Sequence, residues 1–88
     1  MHFVINYEFT PAMRKEAQAR FKAGGGLPPD DGVKMLARWH HVKGNSGFVV
    51  AESADPVAIG KWMQDWTDLL TFEIEPILTD EEVQIVIG

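Results

Sequence analysis

Five consecutive residues, Lys43-Gly44-Asn45-Ser46-Gly47, separate two runs rich in apolar and aromatic side chains, Val33 to Val42 and Phe48 to Ser53. Glycine accepts positive φ, and Asn and Ser bond their own backbone, so the chain must reverse here and the two runs become the arms of a β-hairpin. A loop of Lys43 to Gly47 sets Val42 opposite Phe48, His40 opposite Val50 and Arg38 opposite Glu52. A loop one residue shorter sets Arg38 against Ala51 instead. The first register is expected, because it faces opposite charges across the strands, an arrangement worth roughly 0.2–1 kcal/mol when exposed.

The remaining elements arrange themselves around that hairpin. From His2 to Phe9 the chain alternates, with Phe3, Ile5, Tyr7 and Phe9 on one side and His2, Val4, Asn6 and Glu8 on the other, the pattern of a strand with one apolar face. Thr10-Pro11 is a helix start, after which Met13, Ala17 and Phe21 recur at helical spacing toward the core while Arg14, Lys15, Gln18 and Lys22 face outward. Gly24 ends this helix, and Gly24-Gly25-Gly26 with Pro28-Pro29 predicts a loop running to Gly32. Asp55-Pro56 starts a second helix, whose apolar face runs from Ile59 through Trp62, Met63 and Trp66 to Leu69 and Leu70. Thr71 to Leu78 is a strand with Phe72, Ile74 and Leu78 inward and Glu73 and Glu75 outward. Thr79 followed by Glu82 is a capping box for a short helix, while Val83 to Ile87 suits a helix or a strand. The order β-α-β-β-α-β over residues 1–88 is an α+β, ferredoxin-like fold: one domain, with a four-stranded antiparallel sheet carrying two helices on one face.

The second sheet face is the difficulty in this arrangement. Strict alternation gives it Val4, Leu36, Phe48, Val50 and Ile77, interleaved with His2, Asn6, Glu8, Arg38, His40, Glu52, Glu73 and Glu75. That mixture is too apolar for water and too charged for a core. A chain of 88 residues buries only about 60–65% of its unfolded surface, and without cysteine it has no disulfides to compensate. The expectation is a homodimer in which two copies pack open sheet face to open sheet face. A net charge of −5 argues against nucleic acid as a partner. An RNA-recognition module shares this strand order, and FVIN and KGNSGFVV faintly match its motifs, but Asn45 and Val50 stand where stacking rings are needed. No basic region followed by an apolar run opens the chain, and no apolar run approaches the roughly 20 residues that cross a bilayer, so a cytoplasmic protein with no membrane partner is expected.

Candidate chemistry gathers on the hairpin. His40 and His41 are adjacent on a strand and point to opposite faces, so they cannot share an ion without a bulge; no spacing matches a metal motif, and neither metal nor cofactor is expected. Arg38, His40 and Glu52 on one face form the best polar constellation: the imidazole as general acid or base beside a carboxylate, the guanidinium as a carboxylate clamp. The same three residues also suit an Arg–Glu network that fixes a dimer, and that reading is preferred to a ligand site. Trp39, Trp62 and Trp66 could wall a small apolar pocket, or simply pack a helix on a sheet. Gly24-Gly25-Gly26 is not a phosphate loop, since no strand directly precedes it and no Gly-Lys-Ser/Thr follows.

Arg38-Trp39-His40, the strand from Gly47-Phe48 to Glu52, the Asp55-Pro56 helix with Trp62 and Trp66, and the acidic Asp80 to Glu82 together resemble a family of short bacterial proteins known as a domain of unknown function. The resemblance spans nearly the whole chain. It implies a dimeric α+β barrel and brings no established activity, so no catalytic residues carry over. More distantly, dimeric α+β barrels include small monooxygenases of the antibiotic-biosynthesis and haem-degrading types, some of which use an Asn on the first strand with a Trp and a His from the helices. Asn6 and Trp62 or Trp66 would correspond; the helix His is absent, and alternation sets Asn6 opposite the apolar stripe.

Three readings follow. The chain binds a small, partly apolar metabolite, or serves an accessory role, through Asn6, Arg38, Trp39, His40, Glu52, Trp62 and Trp66. It is a cofactor-independent monooxygenase or isomerase using His40 and Glu52. Or it is an interaction module whose acidic tail recruits a partner. The ligand, and whether the chain is an enzyme, stay open at this level.

Overall fold

The first strand, β1 (His2–Glu8), is central, and its two neighbours cover both its edges. The computed structural model describes residues 1–28 and 32–88. After β1 come a single 3₁₀ turn at Pro11–Met13 and helix α1 (Arg14–Gly24), then the hairpin of β2 (Lys34–His40) and β3 (Ser46–Glu52), helix α2 (Pro56–Gln64), strand β4 (Thr71–Ile77) and a terminal helix α3 (Asp80–Ile87). The strands lie in the order β2-β3-β1-β4, each neighbouring pair antiparallel, which is the ferredoxin-like arrangement. The expected loop after Gly24 falls partly at Pro29, Asp30 and Asp31, which lie outside the described residues.

Local signals place most element ends. The Asp55 carboxylate accepts the Val57 N–H at 2.9 Å, with Pro56 in the first turn of α2. The Thr79 hydroxyl accepts the Glu82 N–H at 3.2 Å while the Glu82 carboxylate accepts the Thr79 N–H at 2.9 Å, so the capping box forms and the tail resolves as a helix. These bonds hold the Glu82 carboxyl below the usual carboxylate range. Thr10 differs: its side chain makes no cap, and the chain enters α1 through the 3₁₀ turn instead. At the far end of α1, Gly25 takes φ +73° and its N–H returns to the Phe21 carbonyl at 2.6 Å. The apolar periodicity expected to carry α2 to Leu70 outlasts the helix, which stops at Gln64 and gives way to turns through Leu69. Leu78, expected inward on β4, lies beyond the strand and is exposed, so Pro76 takes the last inward position opposite Phe3.

The core lies between the inner sheet face and the two helices. Phe3, Ile5, Val49 and Ala51 meet Ile59 and Trp62 of α2, and Phe9 packs with Ala17 of α1 and Leu69. Ser53 is buried beside them, its hydroxyl 2.6 Å from the Gly32 carbonyl, to which it donates, and its oxygen accepting the Asp55 N–H at 3.0 Å, which fastens the exit of β3 to the entry of β2. Across the helical side, the Arg20 guanidinium holds both Asp68 carboxylate oxygens at 2.7 and 2.8 Å and the Asp65 carbonyl at 2.8 Å, joining α1 to the turns after α2.

The hairpin departs from the expected register. Trp39 pairs with Phe48, His40 with Gly47 and Arg38 with Val49, a slide of three residues from the pairing that would set Arg38 against Glu52. An odd slide moves every side chain to the other face. A β-bulge at Leu36 then restores the parity, so that Met35 meets Ala51 and Lys34 meets Glu52. The correction to the face assignment is therefore specific: Arg38 and His40 lie on the helix-covered side, and Trp39 takes the open face. Bonds within the turn and from the turn back to Phe9 accompany this register. The His41 N–H donates to the Ser46 carbonyl at 2.9 Å and its ring Nδ1 lies 2.8 Å from the Ser46 hydroxyl. The Asn45 carbonyl accepts the Phe9 N–H at 3.0 Å, and the Asn45 amide donates to the Phe9 carbonyl at 3.3 Å. Asn45 and Ser46 are thus committed to pairing, and the reversal falls earlier, at Val42 to Gly44.

Candidate functional site

Between the inner sheet face and the helices runs a cleft of about 300 Å³. Ile5, Val49 and Phe72 line it from the sheet, Phe21 from α1, and Trp62 and Met63 from α2, with Trp66 from the turns that follow. These walls are apolar because the two helical stripes and the inward strand positions converge there. Among the described lining residues there is no Asp or Glu, although the chain carries 13 acidic residues against 8 Lys and Arg.

The polar groups sit together at one end. The Tyr7 hydroxyl lies 2.6 Å from His40 Nδ1, and the His40 ring stands edge-on to Tyr7 and Phe21, at 5.8 and 5.5 Å between ring centres. Burial pushes the Tyr7 phenol above its ordinary value against a smaller opposing pull from Arg38, while burial and then the Arg38 charge push His40 below 6.5. Both shifts favour the uncharged forms. A neutral imidazole accepts at one ring nitrogen and donates at the other, so a Tyr7 hydroxyl that donates to Nδ1 leaves the imidazole proton on Nε2. The Arg38 guanidinium lies over the Phe21 ring at 4.7 Å, and its Nη1 donates to the Gly26 carbonyl at 3.0 Å. Gly26 makes that contact possible: a β carbon there would come within 2.9 Å of Arg38 Nη1 and 3.3 Å of the Phe21 ring.

Four of the seven side chains singled out from the sequence, Arg38, His40, Trp62 and Trp66, line this cleft. Asn6, Trp39 and Glu52 do not. Glu52 is on the open face, 3.1 Å from His2 Nε2, so the expected His40–Glu52 pair does not form within the chain. Asn6 is also on that face, in a more polar concavity with Glu8, Lys43 and Glu73, and Trp39 is 65% exposed there. Tyr7 and Phe21, core positions by sequence pattern, also line the cleft. A tyrosine on an otherwise apolar stripe was the available signal, since its hydroxyl requires a partner.

The depressed His40 pKa has a measurable consequence. The unfolded chain binds a proton at His40 more readily than the folded one, so stability falls as pH drops through the window below 6.5. Urea denaturation at about pH 7.5 and about pH 5.5 should show this loss, and His40→Gln should show a smaller one. Equal losses in both proteins would remove His40 as the cause. Asp68, held low by Arg20, and Glu82 lose their contributions only in the more acid carboxylate range.

A family model described as "Domain of unknown function (DUF3303)" matches residues 1–88. The chain belongs to the DUF3303 family. No curated protein matches the DUF3303 chain. Among solved structures it is similar to the "Structure of Rv0793 from Mycobacterium tuberculosis", with a TM-score of 0.55 and 13% identity over 90% of this chain and 96% of that one. At that identity the likeness carries the fold alone, and it agrees with the ferredoxin-like topology of the DUF3303 chain. None of the described helices is long and apolar enough to cross a membrane.

Proposed function

We propose that the chain is a homodimeric α+β barrel protein that holds a small, partly apolar metabolite in the cleft between its sheet and its helices. The observation that carries this reading is the cleft itself: aromatic and aliphatic walls around about 300 Å³, with a few convergent polar groups at one end. Three features support the second copy. On the open face Trp39 is 65% exposed among Val4, Phe48, Val50 and Ile77, none of which is fully buried. Helix α3 buries no residue, and Ile85, Val86 and Ile87 are 80%, 73% and 73% exposed. The radius of gyration of 14.2 Å exceeds the roughly 12 Å of a compact domain of this length, as expected of a chain with surface left for a partner.

A second reading, a small cofactor-independent enzyme, draws on the 2.6 Å contact between an uncharged phenol and an uncharged imidazole at the end of the cleft. Such a pair can pass a proton to a bound molecule, with Tyr7 taking the place that Glu52 does not fill. The interaction-module reading is favoured less, because a filled interior would suit it better than an open cleft.

A native mass spectrum of the purified protein tests the main reading. The expected species has twice the chain mass and carries a copurified small molecule, lost on denaturation. A single-mass species at micromolar concentration would refute the dimer. A dimer that stays empty, with no binding of any apolar probe in the cleft, would refute the binding role.

A further inference from the structure

We infer that the cleft takes a monocarboxylate with an apolar body, its carboxylate seated on Arg38 and the His40 Nε2–H. This rests on the cleft being the binding site, as proposed above, and specifies the chemistry of its occupant.

Arg38 is the central observation. Its guanidinium has five donors, and the bond to the Gly26 carbonyl uses one. Among the described residues no carboxylate forms an ion pair with it. Arg20, by contrast, is fully engaged with Asp68 on the surface, so the chain does not lack acids to spend on arginines. A part-buried cation beside apolar rings favours an anion brought by a ligand, because a guanidinium receives a carboxylate through two parallel bonds.

His40 adds a second donor and limits the charge. With the Tyr7 hydroxyl donating to Nδ1, Nε2 presents its proton, and burial and the Arg38 charge both favour the neutral ring in the empty cleft. The cleft end therefore offers one positive charge, matched by one negative charge. A dianion such as a phosphate monoester would bring a second charge into apolar walls with nothing described to neutralise it. The rest of the occupant is set by Phe21, Trp62, Met63 and Trp66, whose surface is mainly apolar.

The test uses the intact protein and four eight-carbon probes, octanoate, octanamide, octanol and octyl phosphate, read by calorimetry and by tryptophan fluorescence. Octanoate should bind wild type roughly tenfold or more tighter than octanamide, the span expected for hydrogen bonds between charged groups. Arg38→Gln should remove most of that preference, the remainder being the share of the His40 Nε2–H. The wild-type comparison does not depend on the variant folding. Octanoate and octanamide binding alike would overturn the carboxylate assignment and leave the cleft reading standing. Octyl phosphate binding more tightly than octanoate would overturn the single-charge argument. Failure of all four to bind would overturn the cleft reading, and this inference with it.

Discussion

Gly47→Ala is expected to cost about 3 kcal/mol or more, at the upper end of what overpacking a filled site does. A β carbon at Gly47 would press on the Trp39 carbonyl oxygen and stand 2.5 and 2.9 Å from Cε2 and Cζ of the Tyr7 ring. The carbonyl belongs to the paired backbone of β2 and cannot withdraw without breaking the hairpin. The ring can move only by giving up its 2.6 Å contact with His40. For a domain of this length, with a total stability on the order of 4–13 kcal/mol, that is a large fraction. Urea denaturation should show a clear drop in midpoint, and at low denaturant the pH response assigned to His40 should change. Gly60→Ala supplies the contrast, because a β carbon there meets nothing within 4 Å on exposed helix; it should stabilise by about 1 kcal/mol or less. A Gly47→Ala protein as stable as wild type would show that the close approach of β1, β2 and β3 at this point is not as described.

The second large effect separates two tryptophans that the sequence treats alike. Trp62→Ala should destabilise the fold by about 3–5 kcal/mol, since the side chain is only 3% exposed and joins Ile5, Val49 and Ile59 in the main core. Trp66→Ala should cost far less, because Trp66 is only partly buried, past the end of α2, with the Arg20 guanidinium 5.6 Å from its ring centre. Both line the cleft, so both variants should weaken an apolar probe, and only Trp62→Ala should melt early. Thermal denaturation beside a probe titration reads the two effects separately. Similar melting temperatures would mean that the core does not run through Trp62.

What could be read from the sequence follows the range of the interactions concerned. The caps at Asp55 and Thr79 close within three residues of chain, so residue identity alone places them. The inward stripe Phe3, Ile5 and Tyr7 is likewise legible, because β1 is regular and has one apolar face. The hairpin register is not local. Asn45 reaches back to Phe9, Gly47 must fit under Tyr7, and the bulge at Leu36 leaves no compositional trace. A polar cluster names a reversal without saying which of its residues turn and which pair. The site residues share that ambiguity: Arg38 and His40 lie on one face as alternation requires, but Glu52 falls on the other, and Tyr7 stands beside His40 instead.

The bulge has one further implication. β2 is the outermost strand on its side of the sheet, held by a single neighbour, and beyond Leu36 its alternate residues are of two chemistries: cationic or imidazole at Arg38 and His40, indole at Trp39. Adding or removing one amino acid on either side of Leu36 would exchange these sets wholesale, trading a chamber with a basic lip and an aromatic exterior for one plugged by indole and rimmed outside with positive charge. The length of that short segment therefore determines which residues line the cleft as much as the identity of any residue within it does.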